Sequence, residues 1–132
     1  MINEICIPIE RDTDIVLACQ KGRTLAAQKG LSDNDQVVVV IAISEIARNM
    51  LHYAGHGQII LNSVRQNGKQ GIVVVAQDNG PGITNIEQVL QDGYSTGGGL
   101  GLGLSGAKRL MDEFEIVSDV DQGTTITMRK WR

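Results

Sequence analysis

Residues 92–106 read DGYSTGGGLGLGLSG and run directly into the helix-like SGAKRLMDEF of residues 105–114. Seven of the last fourteen residues of that stretch are glycine. Ordering glycine loses more conformational entropy than ordering any other residue, so this much glycine before a helix marks backbone shaped to approach a ligand closely. Free amides at a helix start and the positive end of its dipole favour a polyanion, such as a phosphate chain, without a basic side chain. A solvated surface loop uses the same composition, so the stretch alone does not decide between the two. Three familiar motifs are excluded. Gly101, Gly103 and Gly106 satisfy G-x-G-x-x-G, but the DGYSTGGGL before them cannot be the buried strand that a dinucleotide fingerprint follows. HRD and DFG elements are absent, as is G-x-x-x-x-G-K-[ST].

Composition sets the outer limits. The 132 residues fit one domain, spanning 1–132, long enough to bury a core without disulfide or metal. A net charge of -3 and a pI near 5.3 argue against a nucleic-acid surface, which concentrates Lys and Arg on one face. With one Phe, two Tyr and one Trp, the core has to come from Val, Ile, Leu and Ala, and base-stacking platforms are not expected. Cys6 and Cys19 lack metal-ligand spacing and read as reduced packing residues of a cytoplasmic protein. No apolar run suggests a membrane span, and no export signal opens the chain.

The pattern outward from the glycine stretch is α+β. Ile5, Ile7 and Ile9 alternate with polar or turn-forming neighbours as a short strand, and Pro8 directs it to a sheet edge. A helix is expected over 14–29 with Gly30 as its stop, and a second over 36–53, capped by Ser32-Asp33 and closed by Gly55 and Gly57. Strands over 58–65 and 71–78 flank Asn67-Gly68, a strong hairpin signal. A short helical piece near 85–90, a helix over 104–114 and strands over 115–120 and 124–131 complete the chain. The expected architecture is a two-layer sandwich, with a mixed, mostly antiparallel sheet and helices on one face.

Two further constellations carry chemistry. Glu45, Arg48, Asn49 and His52 share one face of the second helix, continuing a line through Val38 and Ile41. An apolar stripe that turns into carboxylate and amide suggests a helix bordering a polar cavity, although an exposed polar face has the same spacing. In the first reading Asn49 offers an oxygen to Mg2+, and Glu45, one turn away, serves as a general base. The apolar run Ile72–Ala76 is followed closely by Asp78, then Asn79-Gly80-Pro81-Gly82. A buried carboxylate there needs a partner, and the exocyclic amine of adenine is one, with Gly80 and Gly82 leaving room for a flat base. A plain turn would use the same residues. For His52 and His56, a metal pair would need further ligands.

Taken in order, these parts resemble the ATP site of the GHKL superfamily, which includes gyrase, Hsp90, mismatch-repair ATPases and histidine kinases. Glu45 to Asn49 is similar to its acidic-plus-Asn box, Asp78 to Gly82 to its D-x-G-x-G box, and Gly99 to Leu104 to its lid box. Gly123-Thr124 matches the Gly-Thr that enters the last strand. The phrases AISEIARN, DNGPGI, DGYSTGGGLGLGL and GAKRLMDEF look most like the anti-sigma serine kinases of the RsbT type, stressosome switch kinases. The resemblance implies the Bergerat ATP-binding fold. Asp78, with Gly80, Gly82 and Thr124, would read adenine, and Gly99, Gly101, Gly103 and Leu104 would hold the phosphates. Mg2+ would sit on Asn49, and Glu45 would act as base. It further implies phosphorylation of STAS-domain proteins and, on release, activation of a PP2C-type phosphatase. An anti-sigma or phosphatase-activating module that uses ATP only to order its lid is the competing reading.

Overall fold

The structure, a computed structural model, describes residues 4–83, 86, 90 and 103–132. In chain order it has β1 (Ile5–Ile9), α1 (Asp12–Gln28), α2 (Asp33–Ala54), β2 (Gly57–Gln66), β3 (Lys69–Asp78), α3 (Gly103–Leu110), β4 (Glu113–Asp119) and β5 (Gly123–Trp131). The five strands form one sheet in the order β1-β2-β3-β5-β4. All four pairings are antiparallel, in line with the expected α+β sandwich. The expected helical piece near 85–90 and most of the glycine stretch, including Gly99 and Gly101, lie outside the described residues.

Local chemistry places the boundaries. The Ser32 hydroxyl accepts from the amide of Asp35 at 3.1 Å, capping α2, which ends where Gly55 turns left-handed at φ 81°. Asn67 and Gly68 both take positive φ, 53° and 79°, as a two-residue hairpin turn between β2 and β3 requires. β1 lies at the sheet edge, where Pro8 deprives no second neighbour of a hydrogen bond. The helix expected over 104–114 stops at Leu110, because Glu113–Asp119 is recruited to pair with β5. Lys130 Nζ then donates to the free carbonyl of Leu110 at 3.0 Å.

One face of the sheet is covered. Ile7, Ile9, Ile59, Leu61, Ile72, Val74, Ala76, Ile126 and Met128 point inward and are buried with Val39, Ala42, Ile43, Ile46, Ala47 and Met50 of α2. α1 and α3 both pack against α2. The buried stripe of α2 therefore runs through Val39, Ile43, Ile46 and Met50, while Val38 and Ile41 are only half-buried. Helix α2 is 22 residues long, with a mean hydropathy of 1.4 over its most apolar window, so by length and composition it is able to cross a membrane. Its apolar side chains are instead spent on the sheet, as in the core helix of a folded domain.

Of the two cysteines expected to be packing residues, Cys19 packs against the core and Cys6 does not. Alternation along β1 turns Cys6 to the open face, where it is exposed and donates to Gln58 Oε1 at 3.0 Å. Cys19 on α1 is half-buried against α2, its thiol 3.6 Å from the Val40 carbonyl. Burial pushes the Cys19 thiol above its ordinary value, and the positive charge of Arg48 pulls part of the way back. Only a thiolate alkylates, so at pH 8 iodoacetamide should modify Cys6 well before Cys19; mass mapping of a time course checks the order. Leu61→Ala, which empties a fully buried site, should lower the unfolding free energy by about 2–5 kcal/mol in urea titrations. Val117→Ala, at a 60% exposed position, should change it by no more than about 0.5 kcal/mol.

Candidate functional site

The site is assembled where the ends of β3 and β5 meet the middle of α2. Asp78 and Thr124 are register partners on the last paired step of those strands. The Asp78 carboxylate uses Oδ1 twice, accepting from the Gly80 amide at 2.9 Å and from the Thr124 amide at 3.2 Å. One oxygen thus fastens the β3 turn to β5. Thr124 is buried, and its hydroxyl lies 2.7 Å from that of Ser118 on β4. Ser118 Oγ also accepts from the Ile83 amide at 2.7 Å, so a single hydroxyl joins β4, β5 and the segment after β3. Ser118 and Ile83 were not picked out from the sequence. A serine in an amphipathic strand carries no local signal, and its partners are 6 and 35 residues away.

Within the turn, Gly80 and Gly82 serve the fold itself. A Cβ at Gly80 would stand 2.5 Å from the Cβ of Ala54 at the end of α2. Gly82 has φ +80°, and a Cβ there would strike the Asp119 carbonyl. The amide of Asp121 donates to the Pro81 carbonyl at 2.8 Å, locking this turn to the β4–β5 turn.

Helix α2 contributes the second wall. Asn49 is 6% exposed and lines a cavity of about 20 Å³ with Ile46, Met50 and Tyr53, facing Asp78, Ile83, Leu104 and Thr124. The structure therefore brings together Asn49, Asp78, Leu104 and Thr124. Gly103, at φ 60°, starts α3 beside Leu104 and does not itself line the cavity. Asp78 and Thr124 also border an open cavity of about 600 Å³ toward the uncovered sheet face, with His56, Gln58 and Gln122.

Glu45, one turn before Asn49, is 4% exposed and does not line the small cavity. Its Oε1 lies 3.5 Å from Arg48 Nη1. His52 is exposed, its ring edge-on to Tyr53 at 5.2 Å, so the four residues that share a helical spacing divide into two buried, one half-buried and one exposed. Lys108 and Arg109 lie on the exposed side of α3. Among the described residues, no group of three or more His, Cys, Asp or Glu side chains is arranged to hold a metal ion.

Ser118→Ala removes the acceptor of the Ile83 amide and the partner of Thr124. Unfolding in urea should show a loss of about 1–3 kcal/mol, the range for a half-buried donor left without its acceptor.

With the geometry in hand, comparison with known proteins is informative. The family model described as "Histidine kinase-like ATPase domain" matches residues 10–130. The chain is 48% identical over 131 residues to the serine/threonine-protein kinase RsbT of Bacillus subtilis, covering 99% of this chain and 98% of that one. It is 29% identical over 97 residues to the anti-sigma F factor of Clostridium kluyveri, covering 70% and 68%. Among solved structures, one of the RsbU and RsbW domains of a Mycobacterium tuberculosis protein superposes with a TM-score of 0.67 at 18% identity, over 98% of this chain and 33% of that one. The mycobacterial sensor histidine kinase MprB does so with a TM-score of 0.58 at 15% identity, over 99% and 97%. At those identities the superpositions speak for the fold. The chain belongs to the histidine kinase-like ATPase domain family, on its branch of RsbT-type serine/threonine-protein kinases.

Proposed function

We propose that this chain, as a single domain, transfers the γ-phosphate of ATP to a serine or threonine of a partner protein, as a switch in bacterial stress signalling. The observation that carries the proposal is the convergence of Asn49, Asp78, Leu104 and Thr124 on one cavity, in a chain 48% identical over its length to a serine/threonine kinase. Adenine is recognised by Asp78. Its Oδ1 is engaged by the two amides, which leaves Oδ2 to accept from an exocyclic amine. Gly80 and Gly82 fix the turn on which that carboxylate sits, and Thr124 supplies the adjoining hydroxyl. The cavity, at about 20 Å³, has room for about one water and none for a base, so nucleotide entry requires lining side chains such as Ile83 or Leu104 to withdraw.

We assign the phosphates to the start of α3 at Gly103, where the helix dipole favours their charge; Gly99 and Gly101, given the same role by the sequence, lie outside the described residues. Mg2+ takes hard oxygen ligands and is commonly shared with substrate phosphates, which suits the side-chain oxygen of Asn49. Bound there, the ion would supply charge neutralisation for the transferring phosphoryl group. Glu45 accepts the proton of the incoming hydroxyl, and the backbone frame supplies positioning, the main demand of phosphoryl transfer. The acceptors in this reading are STAS-domain proteins. The chain, once released, activates a PP2C-type phosphatase, and it works in the cytoplasm. A second reading is favoured by the likeness to the anti-sigma F factor: a binding module in which ATP orders the lid. Stoichiometric binding of a sigma factor without label transfer from ATP to any STAS protein would select it.

Thermal-shift titration tests the nucleotide site. At about 100 times its dissociation constant, Mg-ATP should stabilise the native chain by about 2.7 kcal/mol, and GTP should not. Asp78→Asn keeps an oxygen for the Gly80 and Thr124 amides but places an NH2 toward adenine; it should fold normally and lose the ATP shift. Equal shifts with GTP, or a full shift in the variant, would remove Asp78 from base recognition. Glu45→Ala should keep the shift and lose label transfer by roughly 10²-fold or more. Full activity would refute the base assignment.

A further inference from the structure

Arg48 is tied to two neighbouring residues one turn back on α2, Ser44 and Glu45. Its Nη2 donates to Ser44 Oγ at 2.8 Å and its Nη1 reaches the Ser44 carbonyl at 3.5 Å, so the guanidinium is held by its own helix one turn back. The same Nη1 lies 3.5 Å from Oε1 of Glu45. The Glu45 side chain is 5% exposed, whereas that of Arg48 is 32% exposed. An ionised carboxylate at that depth is costly unless a cation faces it, and Arg48 is the cation that does so among the described residues. The contact uses Oε1 alone, and among the described residues Oε2 takes no hydrogen bond. Arg48 also lines an open groove of about 720 Å³ between α1 and α2, with Ile15, Cys19, Arg23, Val40 and Ser44. Its charge is felt by the half-buried Cys19 thiol in that groove.

We propose that Arg48 is a positioning residue for phosphoryl transfer, clamped by Ser44 so that it holds Glu45 by Oε1 and turns Oε2 toward the incoming hydroxyl. The inference rests on the reading of Glu45 as the base. In the step it serves, the acceptor oxygen forms a bond to the γ-phosphorus and the bond from that phosphorus to the bridging oxygen breaks, releasing ADP. The hydroxyl proton passes to Glu45 Oε2 and leaves to solvent after transfer. Arg48 touches neither nucleotide nor acceptor; it acts through Glu45.

The test measures label transfer from γ-labelled ATP to the STAS-domain protein that the native chain phosphorylates, using Arg48→Met, Glu45→Gln and the double variant. Arg48→Met should lower kcat by about tenfold, within the coupling range of residues in contact, while the KM for ATP and the Mg-ATP thermal shift stay within about twofold of native. Added methylguanidinium, entering from the groove, should restore part of the rate to Arg48→Ala, which a merely structural role would not allow. Arg48→Lys, which keeps a cation without the planar fork, should lose less than Arg48→Met and serves as the variant if Arg48→Met fails to fold. In the Glu45→Gln background, Arg48→Met should cost nothing further. Native kcat in both Arg48→Met and Arg48→Lys overturns the proposal, as do losses that multiply with Glu45→Gln. If Glu45→Gln itself transfers label at the native rate, it is the base reading that falls, and the proposal with it.

Discussion

Helix α2 has to bury one stripe on the sheet and present another to the site, and that double demand orders the rest of the molecule. Val39, Ile43, Ile46 and Met50 bring it down onto β2, β3 and β5. Glu45 and Asn49 flank that stripe, so they are drawn below the surface by hydrophobic packing that does not involve them. A polar pair in that setting cannot be a solvated helix face. Each member needs a partner, and Arg48 supplies one for Glu45. Because the polar positions are fixed by core packing, their geometry is as rigid as the core itself, which suits a reaction that depends on positioning.

The opposite wall is built with comparable economy of atoms. One carboxylate oxygen of Asp78 and one hydroxyl of Ser118 gather the amides of Gly80, Thr124 and Ile83 and the hydroxyl of Thr124. The two residues join β3, β5, β4 and the segment that follows β3. The turn after β3 is therefore held from three directions. Its glycines are needed because Ala54 and the Asp119 carbonyl already occupy the space around it. Removing the Asp78 carboxylate altogether would disturb the turn itself, so a variant that keeps one accepting oxygen is the informative one for the proposed base recognition.

Much of this was legible in the chain, for identifiable reasons. Asn67-Gly68, Ser32 and Gly55 are local signals whose backbone consequences are fixed within a few residues, and the hairpin and the limits of α2 fall where they point. Asp78, Asn49 and Thr124 stood out through their order along the chain and do share a cavity. The buried stripe of α2 was misplaced because a helix this apolar offers neighbouring lines of similar hydrophobicity, and tertiary contact chooses between them. The end of α3 was overextended because the pull on Glu113–Asp119 comes from β5, far along the sheet. Ser118 and Ile83 were illegible for the same reason, because their contact is non-local; Glu45 and Arg48 stood out by their spacing, but the hold of Ser44 on Arg48 is side-chain geometry that periodicity does not encode.

The most direct measurement is a crystal structure of the chain with Mg2+ and a non-hydrolysable ATP analogue. Adenine should lie between Asn49 and Thr124, with its exocyclic amine within hydrogen-bonding distance of the Asp78 carboxylate, and Mg2+ at about 2.0–2.1 Å from the side-chain oxygen of Asn49. A nucleotide seated in the groove between α1 and α2, or on the uncovered face of the sheet with Asp78 untouched, would contradict the site and the chemistry assigned to it.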